Sequence, residues 1–196
     1  MKINDGTGSG YDVKIDSNNR LHIDGVVRSE REQAALVGNC YNISTGPITL
    51  TSASASAVFY MDYSDAFPFV IEEILIILGG TTGGAGDAQV EILKNPTTGT
   101  IIDNAVTINT LENRDFSSSK TVSGNLYNGA EGYTLTDGTS FAKTTRSSFG
   151  TVIAFDAAPI VLRKGNSIGI KYTPPAGNTS QSVTIAITGL EEESEV

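Results

Sequence analysis

The sequence predicts an all-β protein, an antiparallel β-sandwich preceded by a hairpin arm and one short helix. Three observations predict it. From about residue 47 to residue 190 the chain is a series of short, apolar, β-branched runs separated by Gly, Asn, Ser and Thr. Helix formers are scarce while Gly alone numbers 21, the composition of many strands joined by turns. Residues 1–46 break that rhythm and read as a polar hairpin, a capped helix and a linker. At 196 residues the chain suits one well-filled core rather than two. The expected organisation is an arm (1–46), a sandwich body (47–190) and an acidic tail (191–196).

In the arm, Tyr11, Val13 and Ile15 alternate with Asp12 and Lys14, and Leu21 and Ile23 alternate with His22 and Asp24. The two runs flank Asp16-Ser17-Asn18-Asn19-Arg20, whose Asx residues favour a tight turn. Two strands alone are marginal in water, so this apolar stripe needs a surface to rest on. Gly6, Gly8 and Gly10 make a flexible lead. Ser29 and Glu32 have capping-box spacing, which predicts a helix over residues 30–37 stopped by Gly38.

In the body, strands are expected at 48–51, 57–63, 69–78, 88–93, 105–109, 122–126, 132–135, 151–155, 160–162, 167–172 and 182–188. The run Val183-Thr184-Ile185-Ala186-Ile187-Thr188 alternates cleanly, as a strand with one buried face does. Residues 69–78 differ, because the second half of that run is apolar on both faces. Pro68 before it, Gly79-Gly80 after it and its β-branched content favour a strand over a helix. Such a strand needs cover on its outer face, from the arm, the helix or another subunit, which makes Ile74 and Ile76 candidate contact residues. Residues 110–149, rich in Ser, Thr, Gly and Asn, read as a long excursion from one end of the sandwich.

The same residues argue against several function classes. A net charge of −9 repels a phosphate backbone, so a nucleic-acid partner is not expected. Glu191, Glu192, Glu193 and Glu195 read as a solvated, frayed terminus. Cys40 is alone, which removes intrachain disulfides and Cys-based metal sites. The start of the sequence lacks the apolar core of a signal peptide, and the run from Ile74 to Leu78 is too short to span a bilayer, so no membrane role is expected. His22, the single histidine, sits in a hairpin with no cleft in prospect, and a Ser–His–Asp site would have to use it. The run from Gly79 to Asp87 lacks the Lys and Ser/Thr of a P-loop. Neither acidic segment of the arm has EF-hand spacing. Glu72 and Glu73 are adjacent on a strand, which would aim them at opposite faces. Sugar-binding sandwiches usually stack a Trp or Tyr on the ring, and this chain has no Trp, though it has Tyr60, Tyr63, Tyr127, Tyr133 and Tyr172. No cofactor, metal site or catalytic residue is expected.

Three segments, Ser29 to Ile43, Ile48-Thr49-Leu50-Thr51 and Leu162 to Pro175, together resemble virion structural proteins of tailed bacteriophages. The resemblance implies a jelly-roll-like sandwich attached to a particle, as a capsid auxiliary, cement or decoration protein without enzymatic activity. A fibre or tail-associated module that binds a receptor or glycan is the alternative it implies. The expected partners are the chain itself, as a trimer or dimer, and a major capsid or other virion protein, after assembly in the host cytoplasm. Tyr11, Val13, Ile15, Leu21 and Ile23 would make the docking contacts by strand addition, with Ile74 and Ile76 behind them.

Overall fold

A computed structural model describes residues 3–4, 12–15, 21–22, 29–82, 86–108, 110–147, 152–155 and 159–192. The chain divides into two compact units, Met1–Glu30 and Arg31–Val196. In the first, β1 (Ile3–Asn4), β2 (Asp12–Ile15) and β3 (Leu21–His22) form an antiparallel sheet in the order β1-β2-β3. The β2–β3 pairing is the expected hairpin, and β1 adds a strand that the sequence reading did not include. Its register matches residue types: Ile3 opposes Val13 and Ile15 opposes Leu21, whereas Asn4 opposes Asp12 and Lys14 opposes His22.

The second unit opens with α1 (Glu30–Leu36) and continues with β4 (Cys40–Ser44), β5 (Ile48–Leu50), β6 (Ser56–Tyr63), β7 (Phe69–Thr82) and β8 (Asp87–Lys94). After α2 (Thr100–Asp103) come β9 (Val106–Thr107), β10 (Thr110–Asn113), β11 (Gly124–Asn128) and β12 (Thr139–Ser147). The chain then forms β13 (Val152–Phe155), β14 (Ile160–Leu162), β15 (Ser167–Thr173) and β16 (Ser180–Glu191). One sheet runs β10-β4-β16-β7-β13, with β5 also on β16 and β14 also on β7; the other runs β12-β8-β15-β6-β11-β9. Every pairing is antiparallel.

Because β4 and β5 lie end to end along β16, and β13 and β14 along β7, each pair occupies one strand position. Counted in chain order, the first, eighth, third and sixth positions then make one sheet and the second, seventh, fourth and fifth make the other. That order is a jelly roll. Residues between β8 and β12 interrupt it as an insertion, adding β10 beside β4 and β11 with β9 beside β6. The insertion therefore widens both sheets at the same edge.

Inner faces meet in a core that includes Phe59, Met61, Phe69, Ile71, Ile74, Ile76, Ile170 and Ile185, all essentially fully buried. Outside the six-stranded sheet, α2 and Leu135 cover Ala57, Tyr60 and Leu93, and Tyr60 stacks on Tyr127 at 5.7 Å between ring centroids. Outside the seven-stranded sheet, Ala34 of α1 packs on Cys40, Val70 and Leu190. Removing Val70 and Leu190 from water contributes roughly 1.5–3 kcal/mol each. The helix is thus part of the sandwich layer, and the boundary expected near residue 46 falls at Glu30 instead. Residues 40–44, expected as a linker, form β4 between β10 and β16, because Tyr41 and Ile43 supply inward-facing apolar side chains at strand spacing.

Two further expectations change. Residues 132–135 are not a strand. They run beside 97–100, held by threonine hydroxyls: Thr98 and Thr136 at 2.8 Å, and Thr134 N donating to Thr100 Oγ1 at 2.8 Å. In β7, the pairing with β16 shifts between Thr188 and Gly189, a bulge that leaves both Ile71 and Ile74 in the core. The half-buried Glu72 and Glu73 between them therefore do not simply alternate across the sheet, and Glu72 Oε2 lies 3.1 Å from Arg31 Nε of α1.

Candidate functional site

A polar cluster that joins the two sheets lies where β16 ends. The alternation that points Val183, Ile185 and Ile187 inward carries on to Glu191, placing its carboxylate between the two sheets. Tyr41 of β4 donates its hydroxyl to Glu191 Oε2 at 3.3 Å, and Tyr63 of β6 donates to Oε1 at 3.2 Å. The Ser123 backbone N–H donates to Oε1 at 3.1 Å. One carboxylate thus ties both sheets to the insertion. It is no frayed tail, contrary to the reading of residues 191–196; Glu191 N also donates to Asn39 O at 2.9 Å and Glu192 N to Pro68 O at 3.0 Å. Residues 193–196 lie outside the described residues.

Around this cluster is an open cleft of about 500 Å³, bordered also by Asn39, Asp65, Phe67, Lys120 and Glu192. Ser123 Oγ donates to Asp65 Oδ2 at 2.9 Å, and Lys120 Nζ donates to Asn39 Oδ1 at 2.7 Å. Burial, reinforced by the Glu191 charge, pushes the Tyr41 and Tyr63 phenols well above their usual range. The Ser123 hydroxyl and the Ala66 and Phe67 N–H groups hold Asp65 below the usual carboxylate range. Each group is stabilised in the protonation state it already has at neutral pH, which suits fastening more than proton transfer.

The residues singled out from the sequence fall in three places. Val13 and Ile15 lie in β2 and Leu21 in β3, matched in register to apolar partners, while Tyr11 and Ile23 lie outside the described residues. Ile74 and Ile76 are fully buried between the sheets of this chain, so they are not available as surface contacts. Strand parity is the reason: once the bulge has reset the alternation, 74, 76 and 78 face inward, and Leu75 and Ile77 form the outer face. Asp62 accepts from Asn125 N at 2.9 Å and Nδ2 at 3.1 Å. Tyr41, Tyr63 and Tyr172 are fully buried, so none presents a ring face to a sugar.

No protein-family model matches this sequence, and no curated protein matches it. The functional reading therefore rests on the chain itself. Among the described residues, no group of three or more His, Cys, Asp or Glu side chains is placed to hold a metal ion, and no helix is long and apolar enough to cross a membrane.

Proposed function

We propose that this protein is a non-enzymatic structural component of a phage virion, an auxiliary or decoration protein that sits on the capsid, docks through residues 1–28 and associates with itself. The observation that carries the reading is the separate first unit. Its described strands are two to four residues long and match apolar to apolar and polar to polar in register. So small a sheet gains its stability by lying against a larger surface or by lending its edge to another chain's strand. The jelly roll behind it spends its polar clusters on fastening strands together, as a load-carrying scaffold does. The resemblance of residues 29–43, 48–51 and 162–175 to tailed-phage virion proteins supports a phage particle as the setting.

The test is add-back to particles that lack the protein. Full-length chain and a Val13→Asp/Ile15→Asp/Leu21→Asp variant are mixed with them, and copies per particle are counted after sedimentation. The variant is expected to keep the circular dichroism of the sandwich and to lose occupancy at least about tenfold, since each charged substitution removes an apolar contact of a kcal/mol or more. Equal occupancy by the two proteins overturns the docking role of the first unit.

A further inference from the structure

The two long edges of the sandwich end differently. At the insertion edge, β10 and β11 widen the sheets beyond β4 and β6. At the other, β12 of one sheet and β14 of the other flank an apolar pocket of about 230 Å³, lined by Ile92, Leu93, Phe141, Pro159, Ile160 and Leu162 among others. Phe141 is 59% exposed and Val161, also in the lining, 45%. A cavity of about 150 Å³ holds benzene, so this pocket has room for a phenyl ring and its methylene. Lys94 lines it, and exposed Arg163 and Lys164 follow β14 directly. On a chain of net charge −9, that cationic rim favours the acidic surface of another copy.

At the insertion edge, Phe116 is 99% exposed, more than any other large apolar residue among those described. The turn that carries it is tightly bonded. Asp115 N donates to Asn113 Oδ1 at 2.9 Å, Ser117 N and Oγ donate to Asp115 Oδ1 at 2.9 and 2.6 Å, and Ser118 N donates to Asp115 O at 2.9 Å. Arg114 N donates to Cys40 O at 2.8 Å and fixes the turn to β4. A ring held ready in this way loses little freedom on docking. Glu112 and Asp115 flank Arg114 beside it, so the turn carries charges of both signs.

Phe116 cannot fill the pocket of its own molecule. Between β10 and β14 lie β4, β16 and β7, roughly 19 Å at the usual strand spacing, and the turn is tied down at β4. We infer that Phe116 of one copy seats in the β12–β14 pocket of a second copy, so that copies join head to tail. Such a contact is heterologous: it closes into a ring when the rotation allows and otherwise extends. The inference deepens the self-association part of the proposed function. It uses none of residues 1–28, so either reading can fail while the other stands.

The experiment is sedimentation velocity on the full chain, on Phe116→Asp, which removes the knob, and on Phe141→Glu, which charges the hole. Both positions are exposed, so the fold is expected to survive. The unaltered chain is expected to form concentration-dependent oligomers, and each variant alone to associate about 100-fold more weakly, the size of effect expected for a buried aromatic anchor. An equimolar mixture of the two variants is expected to regain a dimer and nothing larger, because each copy still supplies one intact half. Separately, Ser119→Cys copies mixed with Lys94→Cys copies are expected to crosslink under mild oxidation faster than either alone. A chain that stays monomeric, variants that associate like the parent, or a mixture that fails to regain the dimer overturns the inference.

Discussion

Removing the Glu191 carboxylate should cost about 3 kcal/mol. The figure is built from two bonds, Tyr41 Oη to Oε2 at 3.3 Å and Tyr63 Oη to Oε1 at 3.2 Å, each between a buried phenol and an ionised acceptor. Hydrogen bonds to charged groups contribute about 1.5–3 kcal/mol, and the open cleft beside Glu191 argues for the lower end of that range. The Ser123 N–H faces the same cleft and can turn to water, so it is left out of the sum. Glu191→Ala should therefore lower Tm by roughly 6–12 °C for a chain of this size. The decisive assay is a double-mutant cycle in urea: Glu191→Ala, Tyr63→Phe and the pair. Tyr63→Phe alone should cost about 1.5 kcal/mol and add nothing once the carboxylate is gone, a coupling energy of about 1.5 kcal/mol. A loss within about 0.5 kcal/mol for Glu191→Ala, the usual size for an exposed surface residue, would refute the anchoring argument and restore the frayed-tail reading.

Other consequences are open to direct measurement. Asp137 accepts from Thr97 N, Thr97 Oγ1 and Thr98 N, which hold its pKa at about 2 rather than 3.8; because the folded value is the lower one, its contribution to stability is present above 3.8 and lost as pH falls towards 2. A carboxyl ¹³C titration of Asp137 should show its midpoint near 2, and a midpoint at 3.8 or above contradicts the hydrogen bonds. Burial raises the Tyr41, Tyr63 and Tyr172 phenols above 10.0, so their contribution is intact below that pH and is lost as pH rises through the folded values. Ultraviolet titration should find these three silent until alkaline unfolding begins. Gly189→Ala would put a Cβ 2.5 Å from the buried Phe69 ring and 2.8 Å from Val70 O, and should cost about 1–3 kcal/mol by urea midpoint; no loss would mean that β7 and β16 are less tightly apposed. Ile77→Lys, on the 42%-exposed outer face of β7, should change neither stability beyond about 0.5 kcal/mol nor the sedimenting mass, and a drop in mass would move the self-contact to that face.

Much of the sandwich is legible because period-two alternation survives in its central strands. The expected 182–188 and 167–172 lie inside β16 and β15, and 160–162 coincides with β14. Legibility fails where a strand is short, polar or set by a distant partner. β4 offers only Tyr41 and Ile43 as inward residues, and its neighbours Gly38 and Pro47 resemble the ends of a linker. β12 sits at a sheet edge, where Thr, Ser, Lys and Arg can face water, so little hydrophobic pattern is needed. The bulge at Glu72-Glu73 is a mismatch with β16, more than a hundred residues away, and local sequence does not encode it. Glu191 was visible in principle, since continuing the Val183, Ile185, Ile187 series lands on it. A cluster of four glutamates in the last six residues masked that phase, because charge suggested solvent before periodicity was extended.

The case for association also shifts from one surface to another. From sequence it rested on a strand greasy on both sides, yet the helix α1 covers its Val70 end, and Ile74, Ile76 and Leu78 complete the core of their own molecule. What remains outside, half-buried Leu75 and partly exposed Ile77 beside the small Ala154 and Ala186, is the scattered apolar surface that monomers ordinarily show. The insertion edge and the β12–β14 edge differ from this in kind. One presents a ring that no described residue covers, and the other a hole of matching size that this ring cannot reach within its own molecule. A face that is merely apolar accepts many neighbours, whereas a projecting ring and a remote pocket specify one geometry, so the edges carry the stronger argument for how copies meet.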